Sequence, residues 1–154
     1  MSNPQYAMQA GTWSAIGFPV TSSKSRDTFY KNANFCYQVG VLVSRSSGTV
    51  WKPGLPTLWL MPFLQVGVLV CFTLDAHFQW WYDESLLVAC GFVGLVGGAV
   101  YVNGFRLVSE GTPPELRELA AAGAAVSSDI GTNFGEGVGH FIQKILYAKY
   151  GIKD

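Results

Sequence analysis

Charged residues are distributed unevenly along the chain, and two long segments contain none of them. Residues 53–74 and 85–105 have no Asp, Glu, Lys or Arg. Because about 20 apolar residues in a helix cross the hydrocarbon core of a bilayer, each segment is long enough for one transmembrane helix. The alternative is a pair of buried helices in a soluble protein, but such helices are usually shorter and rarely uncharged throughout. The pattern therefore predicts transmembrane helices at residues 55–74 and 86–108.

Two weaker segments flank this pair. Residues 28–44 contain Lys31 near their start and then no charge before Arg45. Residues 118–147 are rich in Ala and Gly but include several charged side chains, which should face protein or water because exposure to lipid is costly. We therefore predict an all-α, polytopic transmembrane bundle of about four helices.

The beginning of the chain has a different character. It has no charge before Lys24, and Gly and Pro residues interrupt it repeatedly. A secretory signal is not indicated, because there is no basic start and no Leu-rich core. We predict that residues 1–26 form the end of a preceding helix and an irregular connection, and that residues 27–154 hold the four helices.

The segments between the predicted helices are typical of connections at a membrane surface. Residues 45–56 (RSSGTVWKPGLP) are rich in turn-forming residues. Residues 75–84 (DAHFQWWYDE) place aromatic side chains between two uncharged segments, and such side chains favour the membrane–water interface. Residues 109–118 contain the pair Pro113–Pro114, where a new helix can begin.

Composition supports the membrane interpretation. Of the 154 residues, 13% are charged and 49% are hydrophobic, whereas a soluble domain has about 25% charged residues. The 10 basic and 10 acidic residues balance to a net charge of zero, so the excess of positive charge that drives nucleic-acid binding is missing. Disorder is excluded because disordered chains are poor in apolar residues. We expect the lipid bilayer as a partner, and no nucleic acid.

No motif for catalysis or metal binding is present. The three cysteines, Cys36, Cys71 and Cys90, each fall in a predicted helix, and no pair has the spacing of metal ligands. They are expected to be small packing residues. A phosphate-binding loop, a serine-hydrolase motif and a zinc-protease motif are all missing from the sequence. We therefore expect no catalytic residue, no cofactor and no metal site, and we predict that the chain is not an enzyme.

The last predicted helix carries a stripe of polar side chains. At about 100° per residue, Asp129, Asn133, Glu136 and His140 fall on one face together with Glu118. One hypothesis is that the stripe lines a water-filled cavity and handles protons or a small polar solute, as carboxylate and imidazole groups do in membrane proton relays. The alternative, given equal weight, is that Glu118 and His140 are solvated at the two interfaces while Asp129 and Glu136 pack against other helices.

Small residues predict where helices pack closely. Gly131, Gly135 and Gly139 lie on the face of the last helix opposite the polar stripe, in a GxxxGxxxG ridge that allows another helix backbone to approach. A second group of glycines, at residues 94–98 (GLVGG), occurs in the third predicted helix. Helix packing is the expected role of both groups.

Three further residues each have two interpretations. Asn103 and Tyr101 lie near the end of the third predicted helix and could face a cavity, with Asn103 as a member of the proton pathway, or could complete the packing. Arg45 follows the first predicted helix. It could hold a gate by pairing with a carboxylate, or it could anchor the helix at the interface.

Three blocks resemble the C-terminal part of the battenin family, in the order in which they occur there. They are residues 37–47 (YQVGVLVSRSS), 95–105 (LVGGAVYVNGF) and 117–131 (RELAAAGAAVSSDIG), and residues 9–19 (QAGTWSAIGFP) are also similar. The positions that carry the family motif are Tyr37, Gln38, Gly40, Ser44, Arg45, Gly97, Gly98, Tyr101 and Asn103.

The resemblance implies a fold similar to the major facilitator superfamily, with two six-helix halves around a central substrate site. It also implies a lysosomal or vacuolar membrane protein, and a solute transporter linked to pH homeostasis, to export of basic amino acids or glycerophosphodiesters, and to autophagy. The alternative is a non-transporting scaffold that regulates endolysosomal trafficking and acidification. Such a scaffold should depend on loops such as residues 75–84 rather than on the polar stripe.

Battenins are expected to be much longer than this chain, which would supply only the later part of the second half. The resemblance thus implies a fragment whose Met1 is not the natural start, and whose further partner is the missing N-terminal transmembrane half. Alone, the four helices would expose glycine ridges and a polar stripe to lipid, so we expect the 154 residues alone not to transport. A small four-helix packing protein, complete from Met1, is a third possibility.

Overall fold

The computed structural model describes residues 7–46, 53–81 and 83–152. Within these ranges all regular structure is helical. A short N-terminal helical segment consists of a π-helical turn, Met8–Thr12, and a 3-10 turn, Trp13–Ala15. Four long helices follow: α1 (Ser23–Ser46), α2 (Leu55–Phe78), α3 (Leu86–Glu110) and α4 (Arg117–Tyr150). The predicted all-α class with four helices is confirmed, whereas the number of helices that cross a membrane stays a prediction.

Some sequence predictions fall outside the described residues. These are residues 1–6, residues 47–52 of the connection predicted at residues 45–56, and Tyr82 of the aromatic connection. The division of the chain into residues 1–26 and 27–154 also stays a prediction. In the part that the structure describes, the connection before α1 includes a cis peptide bond between Phe18 and Pro19.

Helix boundaries follow from local sequence. α1 begins before the predicted residue 28 because the Ser22 hydroxyl accepts a hydrogen bond from the backbone N–H of Ser25, 3.3 Å away, and so caps the first turn. α2 ends where Gln79 adopts a left-handed conformation, with φ of 54°. α4 follows a 3-10 turn at Pro114–Leu116 and ends at Gly151, whose φ of 62° suits glycine.

The four helices alternate in direction, so that α1 runs parallel to α3. The start of α2 lies beside the end of α3, where Arg106 donates a hydrogen bond to the Pro53 carbonyl at 3.3 Å. The end of α4 lies beside the end of α2, where Tyr150 donates to the Ala76 carbonyl at 2.6 Å. α1 packs most extensively against α3, although α2 separates the two helices in sequence.

The main core forms where the N-terminal helical segment meets the bundle. Trp13 is fully buried, and its ring lies 6.0 Å from the ring of Tyr37 on α1 and 6.1 Å from the ring of Phe72 on α2. A smaller apolar cluster joins α2 to α3. It consists of Leu58, Met61, Val96 and Ala99. The short segment at the start of the described chain is therefore part of the core.

The outer surface of α2 is strongly apolar. Trp59 and Phe63 are 61% and 71% exposed, and only 22% of the most apolar stretch of α2 is buried. Among the described helices, α2 and α3 are long and apolar enough to cross a membrane. A core helix of a soluble protein would be mostly buried, whereas a helix that faces lipid exposes such side chains without cost. The exposed surface of α2 therefore favours contact with lipid.

Candidate functional site

A seam of glycines brings α1 and α3 into backbone contact. The glycine seam consists of Gly40 on α1 and Gly94 and Gly98 on α3. A Cβ atom on Gly40 would overlap the Gly91 carbonyl oxygen, and one on Gly94 would overlap the Tyr37 carbonyl oxygen. A Cβ atom on Gly98 would lie 3.0 Å from the Cβ atom of Ser44. Only residues without a side chain allow this approach, which is how small residues stabilise helix pairs in membranes.

Two residues of the seam, Gly40 and Gly98, lie in the sequence blocks at residues 37–47 and 95–105, and Gly94 directly precedes the second block. Tyr37, Gly40 and Ser44 are buried on α1, and Gly97 and Gly98 are buried on α3. Gln38 points outward and is exposed. Most of the motif positions therefore meet at one helix–helix interface, and the structure gives them a packing environment.

Arg45 and Tyr101 connect the same two helices at one end of the seam. The Arg45 guanidinium carbon lies 4.6 Å from the centre of the Tyr101 ring, within range of a cation–π interaction. No carboxylate pairs with Arg45 among the residues that the structure describes. The carboxylate-held gate considered from sequence thus has no partner in the described part, where an aromatic ring takes the place of the carboxylate.

Asn103 is buried rather than open to a cavity. It is 1% exposed, and its side-chain N–H₂ donates a hydrogen bond to the Ala99 carbonyl at 3.0 Å. It shares the α3 face of Ala99, which packs against α2. Its side-chain oxygen is buried without a hydrogen-bond partner within the described ranges. Asn103 therefore lies in a packed helix interface, and its membership of a proton pathway stays a prediction.

The polar stripe of α4 is exposed along its length. Asp129, Asn133, Glu136 and His140 are all exposed, and neither acidic side chain pairs with a described cation. Asn133 donates to the Asp129 carbonyl at 2.9 Å, which is a bond within the helix. Because Asn103 is buried against α2 and the stripe points outward, the described residues do not bring Asn103 into one enclosed site with the stripe.

The opposite face of α4 packs against the N-terminal helical segment. Gly131, Gly135 and Gly139 are buried, and a Cβ atom on Gly11 would overlap the Gly139 carbonyl oxygen. Next to this contact, the Gln143 amide donates to the Ser14 hydroxyl at 2.9 Å. The glycine ridge of α4 is thus placed in a close backbone contact whose partner is the N-terminal helical segment.

A cleft lies between α2, α3 and α4. Its volume is about 290 Å³, and its wall is mainly apolar. We call it the α2–α3–α4 cleft, and its lining includes Gln65, Gly97, Tyr101, Gly104, Ser127 and Ser128. Gly97 and Tyr101 were singled out from sequence, whereas Gln65, Ser127 and Ser128 were not. Asp129, Glu136, His140 and Asn103 do not line it.

Trp13, like Gln65, was not predicted from the sequence as a functional residue. Trp13 lies within the block of residues 9–19, so the resemblance was the signal that could have identified it. Gln65 is the one amide in the uncharged stretch of α2 and is 4% exposed. A lone polar residue in an apolar helix usually faces protein, and this rule could have placed Gln65 toward α3 and α4.

These features together define a class of protein. Helices with an apolar exterior, joined through small-residue seams, are the architecture of a helical membrane protein. Residues 4–148 match the family model described as CLN3 protein. The chain belongs to this family, and the resemblance to battenins seen in the sequence is confirmed.

Curated relatives support the assignment. The chain is 35% identical over 130 residues to Protein BTN1 of Chaetomium globosum, covering 82% of this chain and 28% of that protein. It is 32% identical over 156 residues to Protein BTN1 of Eremothecium gossypii, covering 92% and 36%. It is 31% identical over 130 residues to Battenin of Canis lupus familiaris, covering 82% and 28%. The match therefore covers only about a third of each relative, and no solved structure matches the chain significantly.

Proposed function

We propose that these residues contribute to a solute transporter of the lysosomal or vacuolar membrane, linked to pH homeostasis, to export of basic amino acids or glycerophosphodiesters, and to autophagy. The proposed arrangement is the later part of a second, major-facilitator-like half, with four transmembrane helices. The protein acts on its solute without chemical conversion. The support for this proposal is family membership together with one feature of α4.

The feature is the exposed polar stripe on a helix whose other face is docked. Asp129, Glu136 and His140 are exposed, while the buried glycines lie on the other face, where Gly139 contacts Gly11 of the N-terminal helical segment. Carboxylates are costly against lipid, so in a bilayer this stripe requires water or further protein beside it. A water-filled pathway lined by this stripe meets that requirement. The titratable side chains of the stripe can couple transport to pH.

The test compares Asp129→Asn and Glu136→Gln with wild type, in lysosomes or vacuoles isolated from cells that produce the protein. Glu115→Gln is the matched control, because Glu115 is also exposed but lies on the 3-10 turn before α4. Efflux of labelled arginine and of a labelled glycerophosphodiester is measured across a pH series. Slower efflux with a changed pH profile in either stripe variant supports the proposal. Unchanged rates and profiles in both variants would exclude the stripe from transport.

The connection between α2 and α3 favours a scaffold role as the second candidate. Trp80 and Trp81 are exposed there, and the buried Asp75 carboxylate accepts a hydrogen bond from the Trp81 backbone N–H at 2.6 Å. Exposed aromatic side chains such as Trp80 and Trp81 can bind a partner. Trp80→Ala should then impair trafficking and acidification while the stripe variants leave both intact. The reverse outcome favours the transporter.

A further inference from the structure

We propose that the α2–α3–α4 cleft binds one acyl chain of an anionic membrane lipid, whose head group is held by Arg45. This site does not depend on the proposed transport function, because it shares no residue with the polar stripe of α4. It rests on the lining of the cleft, on the lipid-facing surface beside it, and on the position of Arg45.

The lining of the cleft favours an uncharged, mainly apolar occupant. Val100, Phe105 and Val108 supply apolar wall, whereas Gln65, Ser127 and Ser128 supply a few neutral polar groups. No charged side chain lines the cleft among the described residues. A charged solute would lose hydration there without an opposite charge in compensation, which is costly. An uncharged acyl chain loses no favourable hydration there. The cleft volume of about 290 Å³ suits part of one chain.

The surroundings of the cleft can supply that occupant. α2 contributes Gln65 to the lining, and the outer surface of the same helix exposes apolar side chains such as Phe63. Tyr101, which also lines the cleft, is 44% exposed, so the cleft is open at this residue. In a bilayer, the molecules beside such a surface are lipid acyl chains. A chain can therefore enter the cleft from the membrane without crossing water.

Arg45 supplies the charge that the cleft lacks. Its guanidinium lies over the ring of Tyr101, and Tyr101 lines the cleft. Only this ring separates the Arg45 cation from the cleft. Arg45 is exposed at the end of α1, and no carboxylate neutralises it in the described structure. Guanidinium groups bind phosphate through paired hydrogen bonds. A lipid with its tail in the cleft would thus present an anionic head group to an unneutralised cation.

Glycine substitutions allow the cleft to be filled without disturbing helix packing. A Cβ atom on Gly104 meets nothing within 4 Å, so Gly104→Leu projects into open space in the cleft. Gly67 on α2 has the same open surroundings but does not line the cleft, so Gly67→Leu is the matched control. Both changes replace Gly by Leu within a helix and gain the same helix propensity.

The experiment measures lipid retention by native mass spectrometry of the purified full-length protein. The probes are phosphatidylglycerol and phosphatidylcholine with identical acyl chains. Wild type should retain phosphatidylglycerol preferentially. Gly104→Leu should lower retention of both lipids, whereas Gly67→Leu should not. Arg45→Gln should weaken phosphatidylglycerol binding roughly tenfold, the loss expected for a charge-assisted hydrogen bond, and should leave phosphatidylcholine unchanged. Arg45→Lys should keep most of the preference.

Three results would overturn the proposal. The first is no lipid retained by wild type, which would mean that protein fills the cleft. The second is equal retention by Gly104→Leu and Gly67→Leu, which would place the lipid elsewhere. The third is an unchanged preference for phosphatidylglycerol in Arg45→Gln, which would show that Arg45 does not bind the head group.

Discussion

The guanidinium of Arg45 lies over the ring of Tyr101, 4.6 Å from its centre, and joins the end of α1 to the middle of α3. A cation–π pair at an exposed position contributes about 0.5–1 kcal/mol. In a double-mutant cycle of Arg45→Gln and Tyr101→Leu, we expect a coupling energy of about this size. Tyr101→Phe should retain it, because the ring rather than the hydroxyl makes the contact. Reversible unfolding in mixed micelles measures the four free energies, and additive single effects would contradict the pairing.

The glycine seam predicts a position that tolerates no side chain. Gly40→Ala places a Cβ atom onto the Gly91 carbonyl oxygen, so α1 and α3 must separate. We expect a loss of about 1–3 kcal/mol in the free energy of unfolding, as for other overpacked sites. Gly67→Ala is the control, because nothing lies within 4 Å of the added atom. Equal stability of the two variants would show that α1 and α3 do not approach this closely.

Truncation of Trp13 is expected to destabilise the fold strongly. Its ring is fully buried between Tyr37 and Phe72, so Trp13→Ala leaves a cavity that these side chains cannot fill. The expected loss is about 3–5 kcal/mol of unfolding free energy. Trp59→Ala should change stability far less, since Trp59 is mostly exposed. The two variants are compared by thermal unfolding followed by circular dichroism, and similar midpoints would refute the buried position of Trp13.

The end of α4 fixes the end of α2 through Tyr150. Its hydroxyl donates to the carbonyl oxygens of Ala76, at 2.6 Å, and His77, at 3.2 Å. Tyr150→Phe should cost about 0.5–1.5 kcal/mol, the net value of a hydrogen bond. The last turn of α2 should then exchange its amide hydrogens faster, as measured by mass spectrometry. Tyr30→Phe on the exposed face of α1 serves as control and should leave exchange in α2 unchanged.

The long helices could be predicted from sequence because membrane helices are marked by length and by missing charge. The positions of α2 and α3 follow directly from two uncharged segments. α1 begins earlier than the apolar pattern indicates, because the Ser22 cap and the Lys31–Asp27 ion pair at 2.6 Å support polar turns that hydropathy ignores. Local hydrogen bonding, rather than hydrophobicity, decides that boundary.

The pairing of elements could not be predicted from composition. The glycine spacing predicted that another helix backbone packs closely against α4, but it did not identify that partner. That partner is a short segment more than one hundred residues earlier, through the Gly11–Gly139 contact. The two interpretations of Asn103 likewise needed tertiary structure, because a helical position alone does not tell which neighbour covers it. The role of the exposed stripe stays a prediction for the same reason.

The contact between Gly11 and Gly139 also sets an order of assembly during synthesis. α1 can join α3 as soon as α3 has entered the membrane, since the glycine seam needs nothing that follows. The N-terminal helical segment can pack against Tyr37 and Phe72 once α1 and α2 are made, but its contacts with α4 form only after α4 has followed. Until then, the Gly11 side of the segment lacks the surface against which it packs in the complete fold. The contact that joins the first described element to the last helix is therefore completed only after α4 has been made.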